Sequence, residues 1–261
     1  MKIVHISDLH YPKTGKNTKK LITHIIHYYR EVTIKPIIVL SGDILHSSTR
    51  KTNFKEAKTL LQGLKNEGFH LLICPGNHDL KAEGIAPIFI GRKRFDNYFQ
   101  SLLPQGFNYF GEEDNNLVDF PIVHQFDNHF FIGLDTLAEE NFIGAAGELG
   151  EEQIRELKEI IEELKEQFNE PIITVYLHHH PLKFNYRPEL MKLKDKELFL
   201  EAIKGINVLL FGHLHHNQRF DVDEIKYDIN CIQLSGGSTH GLRIDWTEID
   251  TEAYKTVNIV F

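Results

Sequence analysis

Gly76-Asn77-His78-Asp79 follows the apolar run Leu71-Leu72-Ile73-Cys74 almost directly, and the rest of the chain is organised around this stretch. A short apolar run that ends at glycine is typical of a buried strand that breaks into a turn. This turn presents an amide, an imidazole and a carboxylate side by side. The sequence therefore predicts metal-binding chemistry at the end of a buried strand.

Four other apolar runs end in polar residues of the same kinds. They are followed by Asp8-Leu9-His10, Gly42-Asp43, His178-His179-His180-Pro181 and Gly212-His213-Leu214-His215. Parallel strands bring their carboxyl ends to one edge of a sheet, so these clusters are expected to meet there. Five strands that each deliver ligand residue types predict one shared site.

The chain between the clusters alternates strands with helices, which predicts an α/β fold. Helices are expected over 17–30, 52–66, 92–101, 151–168 and 196–204, and a strand pair over 123–126 and 129–135. From residue 217 onward apolar and polar residues alternate, which predicts antiparallel strands that close a second sheet. Residues 1–261 are expected to form a single domain, with 80–119 as an elaboration over the site.

Composition limits the kind of protein this is. The formal net charge of −8 argues against nucleic acid as a partner. Cys74 and Cys231 lie in apolar contexts, where buried reduced thiols are expected. No apolar run reaches the roughly 18 residues needed to cross a bilayer, and cleavage of a signal peptide would remove Asp8. These features predict a cytoplasmic protein with no membrane partner.

The residue types in the clusters define the chemistry of the site. Aspartate, histidine and asparagine without cysteine form a ligand set that suits Mn, Fe or Zn. Two cations about 3.5–4 Å apart, bridged by a carboxylate, hold the attacking and non-bridging oxygens of an in-line displacement at phosphorus. Two divalent ions bring four positive charges, while Asp8 and Asp43 return only two negative ones. The excess predicts an anionic substrate.

The five clusters, in this order over residues 8–215, resemble the calcineurin-like metallophosphoesterase family. Any one cluster is a weak signal, whereas the ordered set is highly specific. The resemblance implies a four-layer α/β/β/α fold, in which two packed mixed β-sheets are flanked by helices. It also implies two divalent or trivalent metal ions, and hydrolysis of a phosphate ester.

The resemblance also implies roles for individual residues. Asp8, His10 and His215 match the ligands of one metal, Asp43 the bridge, and Asn77, His179 and His213 the ligands of the second. His78 matches a non-ligand histidine that protonates the leaving oxygen, and Asp79 would orient it. His179 is chosen because family members carry the ligand two residues before the proline. Alternation along the strand would then point His178 and His180 away from the metals.

Several loop residues are candidates for contact with substrate: His46, Arg50, His180 and His216, and more remotely Arg92, Arg94, Tyr186, Arg187 and Asn217. Most of the 16 histidines need no functional role. His5, His24, His27, His70, His124 and His129 are expected in the core, on helix faces or in a hairpin.

These observations lead to a dinuclear metal-dependent phosphoesterase as the predicted function. A metal-activated hydroxide would attack phosphorus in a small phosphodiester or phosphomonoester, and His78 would assist the departing alkoxide. The compact length and the last two clusters are similar to the bacterial cyclic-nucleotide phosphodiesterase branch. The alternatives are a DNA nuclease of the same family and a non-catalytic binding scaffold. The sequence leaves the oligomeric state open.

Overall fold

The computed structural model describes residues 1–81, 88–104, 119–138, 145–182, 191–220, 228–234 and 245–260. The strands are β1 (Lys2–Ile6), β2 (Ile37–Ser41), β3 (Leu71–Cys74), β4 (Ile122–Phe126), β5 (His129–Gly133), β6 (Ile172–Tyr176), β7 (Val208–Phe211), β8 (Gln218–Phe220), β9 (Cys231–Leu234), β10 (Asp245–Asp250) and β11 (Lys255–Val260). The helices are α1 (Gly15–Tyr28), α2 (Lys51–Asn66), α3 (Asn77–Leu80), α4 (Ile88–Phe99), α5 (Glu151–Gln167) and α6 (Lys196–Ala202). A 3₁₀ turn, Gln100–Leu102, follows α4.

The strands form two mixed sheets. The five-stranded sheet has the order β11-β10-β1-β2-β3, and the six-stranded sheet has the order β4-β5-β6-β7-β9-β8. In the first sheet β1, β2 and β3 are parallel, and in the second β5, β6, β7 and β9 are parallel. All five strands that precede a polar cluster therefore lie in a parallel part of a sheet. In each sheet, the polar clusters therefore follow the carboxyl ends of parallel strands and lie at the same edge.

Three apolar cores hold the layers together. Side chains of α1, α2 and α4 pack on the outer face of the first sheet, where Phe54 and Phe99 are fully buried. Helices α5 and α6 cover the outer face of the second sheet through Leu157 and Phe199. Between the sheets lies a third core, to which both cysteines contribute. This arrangement is the expected four-layer α/β/β/α fold, which is confirmed.

Apolar residues at helical spacing explain why these segments form helices. In α5 the buried residues recur at helical spacing, and the intervening glutamates and lysines face solvent. The predicted helices agree with α1, α2, α4, α5 and α6 to within a few residues, and the predicted 123–135 hairpin is β4 and β5. The expected elaboration at 80–119 is described only in part, and α4 is its main described element.

The prediction for the C-terminal tail is wrong in part. Its strands do not close one sheet but divide between the two. Strand β9 lies parallel to β7, and β8 pairs antiparallel with β9. Strands β10 and β11 instead extend the first sheet, with β10 antiparallel to β1. Within the described ranges, no helix combines the length and apolarity that crossing a bilayer requires.

Candidate metal centre

Four side chains from the ends of β1, β2 and β7 form the first group of possible metal ligands: Asp8, His10, Asp43 and His215. Their ligand atoms lie within 4.8 Å of one another. The Nε2 atoms of His10 and His215 are 2.8 Å apart, and Nε2 of His215 is 3.3 Å from Oδ1 of Asp8. Two ring nitrogens and a carboxylate oxygen thus converge on one point, as the ligands of a cation do.

The second group comprises His178, His179 and His213, all buried, with ligand atoms again within 4.8 Å of one another. Nε2 of His178 lies 3.2 Å from Nδ1 of His213 and 3.2 Å from Oδ1 of Asn77. Asn77 is the first residue of α3, which directly follows β3. Together with Asn77, the second group therefore joins the ends of β3, β6 and β7.

Asp43 belongs to the first group and also lies close to the second. Its Oδ2 is 3.7 Å from Nε2 of His10 and 3.4 Å from Nε2 of His178. Its Oδ1 accepts the backbone N–H of His78 at 2.8 Å, which fixes the orientation of the carboxylate. One carboxylate oxygen is thus presented to both groups, in the position of a bridging ligand.

The backbone at these strand ends adopts a conformation that is uncommon outside glycine. Five residues have positive φ, with values from 45° to 77°: Asp8, His10, Asp43, His213 and His215. Gly42 has a φ of 85°, and a side chain there would collide with the ring of His178 and with Gly76. Such strain concentrates at functional sites and persists only where the surroundings hold it. Here it turns the ligand side chains inward.

The three consecutive histidines do not alternate as expected. Nδ1 of His178 donates to the carbonyl of Ser41 at 2.8 Å, which directs Nε2 towards Asp43 and Asn77. The expectation that His178 points away from the site is therefore wrong. His179 is brought into the same group, but its Nδ1 contacts Oγ1 of Thr136 at 2.6 Å. Strand β6 ends at Tyr176, so the two-residue period no longer applies beyond it.

His78 and Asp79 also differ from expectation. Nδ1 of His78 donates to the carbonyl of His46 at 2.7 Å, so this carbonyl, and not Asp79, orients the ring. The carboxylate of Asp79 accepts the backbone N–H groups of Gly76, Leu45 and Ile44 at 2.9, 2.8 and 3.3 Å. Asp79 is the third residue of α3, and a carboxylate there reaches back to the start of its own helix.

The electrostatics of the site favour cations. Burial opposes ionisation of Asp8, but hydrogen bonds from His10 and His215 hold the pKa of its carboxyl well below the ordinary value. Burial likewise opposes ionisation of Asp43, and the charge of His178 lowers its pKa. Burial lowers the pKa of His178, but Asp43 raises it to about 9. A bound cation would displace a proton from such an imidazole and take its place beside the carboxylates.

The remaining pKa shifts agree with ligand roles. Burial lowers the pKa of His179 and of His213 well below the ordinary value, which keeps both rings neutral. Burial, and then the charge of Asp43, raise the pKa of Asp79 to about 7. His179 and His213 are therefore available as neutral imidazole donors beside the ionised carboxylates of Asp8 and Asp43.

The donor atoms of the site fit the metals that the sequence implies. Nε2 of His179 and Nε2 of His213 are buried and have no hydrogen-bond partner among the described residues. Burying such an atom without a partner is unfavourable, whereas coordination of a cation satisfies its lone pair. The carboxylate, amide and imidazole donors suit Mn, Fe or Zn. The residues present therefore fit two cations.

The other candidates divide into two sets. His46 lies at the site, with its ring stacked on that of His78 at a centroid distance of 5.5 Å, and the ring of His180 stacks on that of His213 at 5.9 Å. Arg50 and His216 are exposed and belong to neither ligand group. Asn217 is engaged by Thr247 and Gln233, and Tyr186 and Arg187 lie outside the described residues.

Sequence reasoning missed the contacts that hold the ligands in place. Thr136 contacts the ring of His179, and Arg92 pairs with the buried Asp135 beside it. Gly147 packs so closely on the ring of His179 that a side chain there would collide with it. The only available signal was the Asp135-Thr136 pair at the end of an apolar strand. It resembles the other clusters, although it carries no histidine.

Comparisons with known proteins agree with this geometry. The family model for calcineurin-like phosphoesterases matches residues 1–217. No curated protein matches the sequence significantly.

Solved structures share the fold at low sequence identity. A dimetal phosphatase from Danio rerio is 14% identical, with a TM-score of 0.60 over 100% of this chain and 95% of that one. A protein from Thermus thermophilus is 10% identical, with a TM-score of 0.59 over 99% and 98% of the two chains. GAP50, the anchor in the inner membrane complex of Plasmodium, is 14% identical, with a TM-score of 0.56 over 100% and 88%.

Proposed function

The chain belongs to the calcineurin-like phosphoesterase family, and on that basis we propose that it is a dinuclear metal-dependent hydrolase of small phosphate esters. The substrate would be a phosphodiester or a phosphomonoester, and a cyclic nucleotide is one candidate. The acidic composition, with a net charge of −8, favours such a small substrate over a polynucleotide.

A single observation carries this proposal. Oδ2 of Asp43 lies within 3.7 Å of a ring nitrogen from each of the two ligand groups. A lone metal site needs no carboxylate in that position, whereas a pair of cations needs a shared ligand to stay close together. The proposal therefore assigns Asp43 the bridging role.

The remaining ligands follow from the distances. Asp8, His10 and His215 would hold one cation with Asp43, and Asn77, His178 and His213 would hold the other. His179 is retained as a further donor to the second cation, because its Nε2 has no hydrogen-bond partner among the described residues. Mn, Fe and Zn all suit this set, and such a pair supplies a nucleophilic water and neutralises charge on the phosphoryl group.

His78 is proposed to handle the proton of the leaving group. Its ring lies 4.8 Å, centroid to centroid, from the ring of His10, and a ring nitrogen lies within 4.8 Å of those of His10 and His46. Because Nδ1 is held by the His46 carbonyl, Nε2 remains to carry a proton. That atom can protonate an alkoxide that departs beside the first group.

Two alternatives remain. GAP50 has the same fold and is an anchor, so the fold alone is compatible with a non-catalytic scaffold. Such a scaffold has no need of buried nitrogens that face two carboxylates, which favours the hydrolase. A DNA nuclease would instead show a strong dependence of binding on salt. We further propose one domain over residues 1–261 and a reducing, cytoplasmic location, since both cysteines are buried free thiols.

Elemental analysis of the purified protein, combined with a panel of mono-, di- and cyclic phosphate esters, tests the proposal. Two metal ions per chain and hydrolysis of at least one small ester are expected after supplementation with Mn. Metal-free protein that remains inactive towards bis(p-nitrophenyl) phosphate under those conditions would favour the scaffold. Preferential cleavage of single-stranded DNA, weakening steeply with salt, would favour the nuclease.

A further inference from the structure

Helix α4 contacts the rim of the site through Arg94. Nη1 of Arg94 donates to the carbonyls of Ser48 and Thr49 at 2.6 and 2.8 Å. Both carbonyls lie in the loop between β2 and α2, which also carries His46. A guanidinium that donates to two consecutive carbonyls fixes the path of a loop more firmly than one hydrogen bond does.

The same loop determines the orientation of His78. The carbonyl of His46 accepts Nδ1–H of His78 at 2.7 Å, and the two rings are nearly parallel, with an angle of 17° between them. Oγ of Ser48 donates to the carbonyl of Leu80, which lies in the same helix as His78, at 3.3 Å. A shift of this loop would therefore move the partner that holds the His78 ring.

The loop is fixed at both ends. At its start, the carboxylate of Asp79 accepts the N–H of Leu45, and the N–H of His46 donates to the carbonyl of Tyr11 at 2.8 Å. At its end, Arg94 is the described side chain that holds the carbonyls of Ser48 and Thr49. The two ends thus depend on different parts of the chain, and α4 controls the second.

Helix α4 also packs directly against the helix that carries His78. A side chain at Gly91 would collide with the backbone of Leu80, so glycine is needed for the close approach of α3 and α4. Helix α4 therefore touches both supports of His78, the loop through Arg94 and the helix α3 through Gly91.

We propose that Arg94 is a positioning residue for His78, acting through the loop of His46 and Ser48. This inference rests on the proposed function for its kinetic consequence, but the orientation of the His78 ring can be measured without activity. Arg94 itself need not touch substrate. Its role is to keep the His46 carbonyl where Nδ1 of His78 must donate, so that Nε2 faces the leaving group.

Arg94→Met tests the proposal, with Lys93→Met as the matched control. Lys93 is exposed on the same helix, and its replacement by methionine removes the same charge. The Arg94 variant is expected to keep its metal content and KM but to lose kcat by about 10- to 100-fold, as supporting partners of a site typically do. The Lys93 variant should match the wild type. Arg94→Lys, which keeps a cation but loses the planar fork, should fall between them.

A double-mutant cycle separates positioning from general damage. In a His78→Ala background, Arg94→Met should cause little further loss, because the residue through which it acts is gone. The ring nitrogen signals of His78 supply a second readout, measured by nitrogen NMR on metal-free, histidine-labelled protein and assigned with His78→Ala. The wild type and Lys93→Met should show the proton on Nδ1, whereas Arg94→Met should show a mixture of tautomers.

Full additivity of Arg94→Met with His78→Ala, or an unchanged tautomer in Arg94→Met, would overturn the inference. Loss of bound metal in Arg94→Met would also overturn it, because the effect would then not run through His78. If the wild type hydrolyses no ester, the proposed function fails, and the tautomer measurement still decides whether Arg94 orients His78.

Discussion

Buried histidines lie both at the ligand cluster and in the β4–β5 hairpin, and the pKa of His178 at the cluster shifts in the opposite direction to those of His124 and His129 in the hairpin. His178 at the cluster and His124 and His129 in the hairpin are at most 3% exposed. At His178, the effect of burial is outweighed by the charge of Asp43, and the pKa rises to about 9. In the hairpin, burial lowers the pKa of His124 to about 4 and that of His129 to about 3.

The contrast shows that burial alone does not mark a functional histidine. The hairpin rings pack as parts of the core, where His129 stacks on Phe131 at 4.4 Å and donates to or accepts from Thr174. The cluster rings instead face carboxylates that end neighbouring strands. What distinguishes the candidate site is the convergence of histidines with Asp8 and Asp43.

Removing the shared carboxylate should have the largest effect. Asp43→Asn keeps the size of the side chain but loses the charge that both ligand groups face. Because supporting partners alone typically cost about 10- to 100-fold, loss of the bridging ligand should lower metal affinity and kcat/KM by more than about 100-fold. Isothermal titration calorimetry with Mn measures the metal affinity, and ester hydrolysis measures kcat/KM.

Asp127→Asn is the matched control for that variant. Asp127 has a φ of 53°, against 52° for Asp43, and lies exposed in the hairpin turn. Asparagine tolerates this backbone equally well at both positions. Equal metal binding by the two variants would contradict the bridging role of Asp43.

His78→Ala should separate chemistry from metal binding at the same cluster. The backbone N–H that fixes Asp43 is retained, so both metals should remain bound. Turnover should fall by roughly 10²- to 10⁴-fold, the usual contribution of a general acid or base. Metal content by elemental analysis and kcat for an ester with a poor leaving group are the measurements. Loss of metal would show that His78 is a ligand instead.

His178→Gln should weaken metal binding more than His179→Gln does. His178 faces both Asp43 and Asn77, so its loss should lower the affinity for the second metal by at least about 100-fold. His179 is held by Thr136, and its loss should cost about 10-fold, the lower end for a supporting residue. Metal titration of both variants, side by side, makes the comparison. The reverse order would restore the assignment that the sequence suggested, two residues before the proline.

The smallest effect is expected in the β4–β5 hairpin, where protein stability should fall only at acidic pH. His124 has a folded-state pKa of about 4, below the ordinary value of about 6.5 in the unfolded chain. Its contribution to stability is present above pH 6.5 and is lost as the pH falls towards 4, because the unfolded state then binds the proton. Between pH 7 and pH 5 this amounts to roughly 2 kcal/mol.

Urea unfolding at both pH values measures this loss. His124→Phe should reduce the acid-induced loss of stability by that amount, whereas His27→Phe, at an exposed position, should not change it. An unchanged acid sensitivity of His124→Phe would mean that the ring is not kept neutral by burial.

Most of the fold was predictable from the sequence because its parallel strands are short apolar runs between amphipathic helices. The tail was not, since β8 and β9 are only three and four residues long and alternation does not say which sheet a strand joins. That choice depends on which edge remains open. Here β9 pairs with β7 and β10 with β1.

The candidate site was predictable in its residue types but not in its supports. Metal ligands leave a signature at strand ends, whereas the partners of His78, His178 and Asp79 are largely backbone groups that any residue supplies. Strand alternation also fails as a guide to His178, because the backbone has left the strand at Tyr176. Only the folded chain shows that the His46 carbonyl holds the His78 ring, that the Ser41 carbonyl holds the His178 ring and that Arg94 donates to the loop beside them.

The position of β10 beside β1 has a consequence for how the protein is made. Strand β1, which leads to Asp8, is translated long before β10, so one of its edges stays open until residues 245–250 leave the ribosome. Pairing over such a long separation is slow, and an unpaired strand edge invites association with other chains. Nascent chains of this protein should therefore depend on chaperones until β10 has been translated, and truncation before Trp246 should yield insoluble product.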